Sequence, residues 1–280
     1  MCLKAQKICQ VRVRKRVYIG RFQPSVTILF QYQKHPNQIL CSDFEYFLQI
    51  LKLKIDFLPQ IEYTERRKYL GGFAMLLQFS VTNHRSIKDT AIISMKASTD
   101  KSLSDCLISS DGKKQLVPVL ALYGANAAGK SNVLHALLLM REMVCGRYAK
   151  LLKGETLPQE PFALTDQDSE PTSFEVIYFY NGIKYAYGFS FNKTGILNEY
   201  LYHWPNDREA LVFSREGDSY RFRENAQEQL TLAGRTAENR LYLSSSNEWN
   251  CPQTEKAYLW FFEKLTGFMG TEMRLDATLS

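Results

Sequence analysis

The chain has 280 residues, 45% of them hydrophobic, 13% aromatic and 23% charged, which excludes a long disordered chain. It holds no run of 18 apolar residues, so a membrane-spanning helix is excluded too. A formal charge of +6 suggests a nucleic-acid partner, but residues 1–74 carry 13 Lys/Arg against 5 Asp/Glu while the other 206 carry 22 against 24, so the basicity belongs to one end.

In chain order, residues 26–30 are expected as a strand. Residues 44–58 are expected as a helix with Phe44, Phe47, Leu48, Leu51 and Ile55 on one face. Gly71 and Gly72 then break the chain. From Met75 the pattern sharpens: Leu77, Phe79 and Val81 alternate with Gln78, Ser80 and Thr82, and residues 75–95 read as a hairpin through a polar turn. Residues 100–114 read as loop, 119–123 as a short apolar strand, and 131–148 as a helix whose stripe is Val133, Leu137, Met140 and Val144, widened by Leu134 and Leu138. A proline-bearing loop follows over 152–170. Then a β-rich stretch begins: 174–180 meets 183–191 across Asn181-Gly182, a type I′ hairpin signal. Residues 197–204, 210–215 and 219–223 read as further strands, and 255–265 as a helix.

One motif carries chemistry. Gly124-Ala125-Asn126-Ala127-Ala128-Gly129-Lys130-Ser131 matches GxxxxGK[ST], between an apolar strand and an apolar helix. A helix N-terminus offers unpaired N–H groups and the positive end of its dipole to anionic phosphates. Gly124 and Gly129 allow a sharp turn and close backbone approach, and amides from Asn126 to Ser131 form the nest. Lys130 would place an ammonium on the β- and γ-phosphates. Ser131 Oγ is the candidate Mg²⁺ ligand, because Mg²⁺ prefers hard oxygen.

The flanks narrow the class. Gly124-x-Asn126-x-x-Gly129-Lys130-Ser131-Asn132 resembles the P-loops of the SMC, RecF and OLD group of ABC-type ATPases. Leu77-Gln78-Phe79-Ser80-Val81-Thr82-Asn83-His84-Arg85-Ser86-Ile87 is similar to that group's opening strand and turn, with His84 where Phe is usual. Over about residues 75–270 the chain resembles the AAA-type ATP-binding proteins of the abortive-infection and OLD-like group, and Pro161-Phe162-Ala163-Leu164 fits that family as well. The resemblance implies an α/β P-loop NTPase, an ABC-ATPase-like head with an antiparallel β-subdomain. It implies ATP and Mg²⁺ as cofactors, with Arg85 near the nucleotide and Asn132 beside the loop. It also implies ATP hydrolysis at a homodimer formed through the heads of full-length forms.

The expected division is a basic extension over 1–74, foreign to the domain, a P-loop lobe over 75–150, and a β-rich subdomain with the start of a helical region over 151–280. Hydrolysis needs an apolar strand ending in Asp-Glu. After Ser131 no such string occurs, and Leu243-Ser244-Ser245-Ser246-Asn247 is a poor match to the family's signature segment, better read as a polar loop. The chain is therefore expected to be an incomplete head ending before its catalytic half, and no catalytic residue is assigned.

Two alternatives stay open. In one, ATP is only a switch and the β-region docks a nuclease partner or DNA. In the other the chain is a different P-loop enzyme, a kinase or GTPase, although Asn192-Lys193-Thr194-Gly195 lacks the Asp of a guanine-reading motif. Six cysteines at positions 2, 9, 41, 106, 145 and 251 form no CxxC pair, which reads as reduced thiols and a cytoplasmic protein. His35, His84, His135 and His203 are scattered and read as packing or capping residues. Tyr178, Tyr180, Tyr185 and Tyr187 read as cross-strand packing rather than a platform for bases. The Arg12-Arg14-Lys15-Arg16 cluster is a weak candidate for nucleic-acid contact.

Overall fold

A computed structural model describes residues 27–30, 74–99, 107–109, 115–125, 128–164 and 170–266. The expected helix at 44–58 and the basic cluster at 12–16 lie outside the described residues. Strand β1 spans Thr27–Phe30, β2 Met75–Thr82 and β3 Ala91–Ser94. The short strands β4 (Ile108–Ser109), within the region expected to be loop, and β5 (Gln115–Leu116), just after it, pair with each other. Strand β6 is Val119–Leu122 and helix α1 is Lys130–Cys145. Strands β7 (Thr172–Tyr180), β8 (Ile183–Phe191), β9 (Ile196–Trp204), β10 (Ala210–Glu216) and β11 (Ser219–Phe222) follow. Helices α2 (Ala226–Ala233), α3 (Tyr242–Glu248) and α4 (Pro252–Leu259) come next, and α4 runs into a π-helical turn, Trp260–Lys264.

Seven strands form one antiparallel sheet in the order β11-β10-β9-β8-β7-β2-β3. The opening hairpin therefore joins the β-rich region edge to edge, and the sheet crosses residue 150. The strand before the P-loop, β6, pairs in parallel with β1, Thr27 opposite Val119 and Phe30 opposite Leu122. With the helices packed on it, the arrangement is α/β overall.

Strand β7 alternates without fault: Phe174, Val176, Tyr178 and Tyr180 are buried while Glu175, Ile177 and Phe179 are half-buried. Positive φ at Asn181 (50°) and Gly182 (78°) makes the two-residue turn that the sequence announces. Strand β8 is buried along both faces from Tyr185 onward and lies mid-sheet between β7 and β9. Strand β2 departs from expectation. A bulge between Leu76 and Gln78 inserts one residue, so Leu76 is buried and Leu77 only half-buried, and the expected alternation holds from Phe79.

Helix α1 lies against β2, β7, α3 and the π-helical turn. Its buried residues are Leu134, Ala136, Leu137, Leu139, Met140, Met143 and Val144, with Val133 and Leu138 only half-buried. The expected stripe is thus broadened toward Ala136 and Met143, because the helix packs on the sheet and on other helices at once. Tyr178, Trp260 and Phe261 meet in an aromatic cluster, with Tyr178 and Trp260 stacked at 4.1 Å between ring centroids. All four tyrosines of the run are at most 4% exposed, so none offers a face to a base.

The serine segment 244–246 is helical and buried rather than a polar loop. Ser244 Oγ donates to the Val144 carbonyl at 2.7 Å, satisfying the last turn of α1, and Ser246 Oγ meets Thr254 Oγ1 at 2.7 Å. The first amides of α3 are capped from another strand: Tyr242 N–H and Leu243 N–H donate to the buried Glu199 carboxylate at 2.7 and 3.0 Å, and Tyr187 O–H donates to it at 2.9 Å. Burial dominates the titration of Glu199 and raises its pKa, against Arg215 and these donors.

Candidate functional site

Three segments converge at the start of α1: the loop after β6, the turn between β2 and β3, and the loop at 157–162. Residues 124 and 125 leave β6 exposed, and Ala128 N–H donates to Ala125 O at 3.2 Å. Asn126 and Ala127 lie outside the described residues. Gly129 is left-handed (φ 84°, ψ 3°) and precedes α1, which has no side-chain cap and no acidic residue in its first turn. Its carbonyl takes the amides of Asn132 (3.0 Å) and Val133 (3.3 Å). Among the described residues no backbone acceptor serves the amides of Gly129, Lys130 and Ser131. Such N–H groups at a positive helix end are what an anion engages.

Lys130 folds back over the loop. Its Nζ donates to Gly124 O at 2.8 Å and Ala125 O at 2.7 Å, so the ammonium is anchored across residues 124–130 while two carbonyls neutralise part of its charge. Ser131 is exposed on the first turn, and its hydroxyl has no described partner. The expected strand, loop, lysine and helix are therefore in the right relative order, with Gly129 in the conformation that only glycine adopts freely.

Asn132 Nδ2 donates to Ser86 Oγ at 2.6 Å, fastening the helix start to the β2–β3 turn. A Cβ at Gly129 would sit 3.1 Å from that same Ser86 Oγ. The turn is tight: His84 and Ile87 exchange backbone hydrogen bonds at 2.8 Å, and Asn83 and Arg85 both have φ of 52°. Asn83 holds it from below. Its side chain donates to Glu170 O at 2.8 Å and accepts from Phe162 N–H at 2.8 Å.

The turn brings together groups that the sequence left apart. Arg85 forms a two-bonded ion pair with Glu160, Nε to Oε2 at 2.6 Å and Nη2 to Oε1 at 3.1 Å, and Arg85 N–H donates to Glu160 O at 2.7 Å. The Arg85 hydrogen bond holds the Glu160 carboxyl below the ordinary carboxylate range. His84 is fully buried, edge-on to Phe174, and its Nε2 lies 3.3 Å from Nδ1 of His135 on α1. Burial, then the neighbouring His135 and Arg85, push His84 down to about 4; burial and Arg85 lower His135 as well. Both imidazoles are neutral at pH 7, one ring donating to the other. His84 so fills an aromatic slot against Phe174.

Glu160 and the His84–His135 contact were not singled out in the sequence. Their sequence separations, 75 and 51 residues, leave no local signal. Among the described residues no group of three His, Cys, Asp or Glu forms a metal cluster, and no helix is long and apolar enough to cross a membrane. No curated protein matches the chain. A family model does, over residues 119–274, from the P-loop strand through the last helices described. The chain belongs to the family described as AAA domain, putative AbiEii toxin, Type IV TA system, a P-loop ATPase-like family associated with abortive infection.

Proposed function

We propose that the chain binds Mg-ATP through residues 124–131, as the nucleotide-binding part of an abortive-infection or DNA-maintenance ATPase of the ABC-type, OLD-like kind. The observation that carries this is the anchored ammonium: Lys130 Nζ on the carbonyls of Gly124 and Ala125, at the N-terminus of a helix without an acidic first turn. An anion of several charges completes that arrangement, because it supplies acceptors for the amides and a counter-charge for the lysine. Ser131 Oγ fits the magnesium ion as a hard oxygen donor one residue after the lysine. When bound, the ion neutralises phosphate charge. Arg85 and Asn132 complete the nucleotide-facing set, and Asn126 belongs to it by its place in the motif.

Hydrolysis is proposed for a homodimer joined through the nucleotide-binding faces, by family likeness alone. The sequence after Ser131 has no apolar run ending in Asp-Glu, so the isolated chain should turn over little ATP. Domain roles follow the same proposal: 75–150 carries the nucleotide, 151–280 the β-rich support, and 1–74 is an extension. The second reading, a nucleotide-switched module docking a nuclease or DNA, is favoured by the single sheet that joins the turn beside the P-loop to the β-rich region. Phosphate release by the purified chain separates the two: turnover supports an enzyme, and binding without turnover supports the switch. Displacement of labelled ATP by GTP at equal concentration would point instead to another P-loop enzyme.

A further inference from the structure

The Arg85–Glu160 pair has a geometry that says more than charge neutralisation. The carboxylate takes the Nε edge of the guanidinium, through Nε and Nη2. Among the described residues Nη1 has no partner, so one edge of the fork is fixed and the other is left over. The same two residues are also tied through the backbone, Arg85 N–H to Glu160 O at 2.7 Å. Phe162 N–H on Asn83 Oδ1 adds a third tie between the two segments. Arg85 meanwhile sits at φ 52°, a region that a residue with a long side chain seldom enters, and surroundings that over-determine such a residue are common at ligand clamps. Its neighbour Ser86 touches Gly129 and bonds Asn132, which places the turn against the first turn of α1.

We propose that Glu160 is a positioning residue for nucleotide: it holds Arg85 by one edge so that the other edge is presented to a phosphate oxygen at the start of α1. The inference rests on the ATP-binding reading above and deepens it. A free arginine loses much of its side-chain freedom when it engages phosphate. The clamp removes that freedom before the ligand arrives, so a larger part of the arginine–phosphate attraction appears as affinity. The sign is distinctive. A carboxylate near an anion site repels the anion, so removing its charge would by Coulomb's law alone tighten binding. A clamp predicts the opposite.

The test is Mg-ATP titration of the full chain by calorimetry, for wild type, Lys130→Ala, Glu160→Gln, Glu160→Asp, Arg85→Ala and the Arg85→Ala/Glu160→Gln double variant. Each is first melted without nucleotide to confirm folding. Glu160→Gln should weaken ATP by about fivefold, the scale of one charge-assisted hydrogen bond partly lost. Glu160→Asp, which keeps the carboxylate, should retain more affinity than Glu160→Gln. In the Arg85→Ala background there is no guanidinium to hold, so Glu160→Gln should no longer weaken ATP and the lost repulsion should tighten it slightly, a reversal of sign that a merely structural loop contact would not produce. Unchanged or tighter ATP in Glu160→Gln, or losses that add in the double variant, would overturn the proposal. If Glu160→Gln does not fold, Glu160→Asp and Arg85→Ala decide it: equal affinity to wild type in both rejects the clamp. Wild type that fails to bind ATP, or Lys130→Ala that binds as wild type, refutes the ATP reading itself and is a separate outcome.

Discussion

Gly129→Ala tests whether the loop before α1 is built as described. Gly129 holds φ at 84°, and an added Cβ would lie 3.1 Å from Ser86 Oγ, tighter than an ordinary contact. A left-handed alanine costs roughly 1–2 kcal/mol. The Ser86 hydroxyl cannot move aside freely, because it accepts the Asn132 Nδ2 hydrogen bond at 2.6 Å; giving that up costs about 1 kcal/mol. The expected destabilisation is about 2–3 kcal/mol, or roughly 5–10 °C in melting temperature for a domain of this size. Gly154→Ala is the matched control: its φ is 87°, but no atom lies within 4 Å of a new Cβ, so it carries the backbone cost without the collision. Thermal denaturation followed by circular dichroism reads both. Mg-ATP titration should show Gly129→Ala weakened by about tenfold, the effect of about 1.4 kcal/mol of loop distortion, and Gly154→Ala unchanged. A Gly129→Ala protein that melts with Gly154→Ala and binds ATP as wild type would refute the Ser86 contact and the close packing of the turn on the loop.

Glu199→Ala removes the buried acceptor of two α3 amides and the Tyr187 hydroxyl, and leaves Arg215 without its buried carboxylate 4.0 Å away; it should cost about 3–5 kcal/mol, with Glu199→Gln about half as harmful. Chemical denaturation checks this, and a Glu199→Ala midpoint equal to wild type would contradict the capping role. The pH dependence of His84 follows from its direction of shift. A base whose folded pKa is depressed stabilises the fold above its unfolded value near 6.5, and that contribution is lost as pH falls toward about 4. About 2 kcal/mol should disappear between pH 7.5 and pH 5, and His135, lowered in the same sense, adds to it. His84→Phe, which keeps the edge-on ring against Phe174, should therefore gain stability relative to wild type as the solution is acidified. Parallel denaturation curves for the two proteins at pH 7.5 and pH 5 would count against the buried neutral pair.

Much of the architecture was written in short-range chemistry. The Asn181-Gly182 turn, the alternation of β7 and the strand–loop–helix around Lys130 each depend on neighbours a few residues apart, and each is where the pattern puts it. What the pattern hides is long-range. Ser244 and Ser246 look solvent-seeking, yet they are buried because Val144 O, Leu243 O and Thr254 Oγ1 lie at hand to satisfy them; the buried Ser245 hydroxyl has no such partner among the described residues. The bulge at Leu76 shifts one strand by a residue, which no periodicity anticipates. The parallel seat of β1 beside β6 joins segments about ninety residues apart, and parallel pairing leaves no turn signal to read. At the site, the lysine, glycines and serine were legible because phosphate chemistry restricts residue type at fixed spacing. Glu160 was not, since a carboxylate in a loop becomes informative only once Arg85 is seen against it.

Calorimetric titration of the chain with ATP in the presence of Mg²⁺, wild type beside Lys130→Ala, tests the central claim most directly. The account predicts saturable one-site binding by wild type and none measurable by Lys130→Ala, with both proteins showing the same far-ultraviolet circular dichroism. Binding that survives the loss of the ammonium, or no binding by the folded wild-type chain, would contradict it.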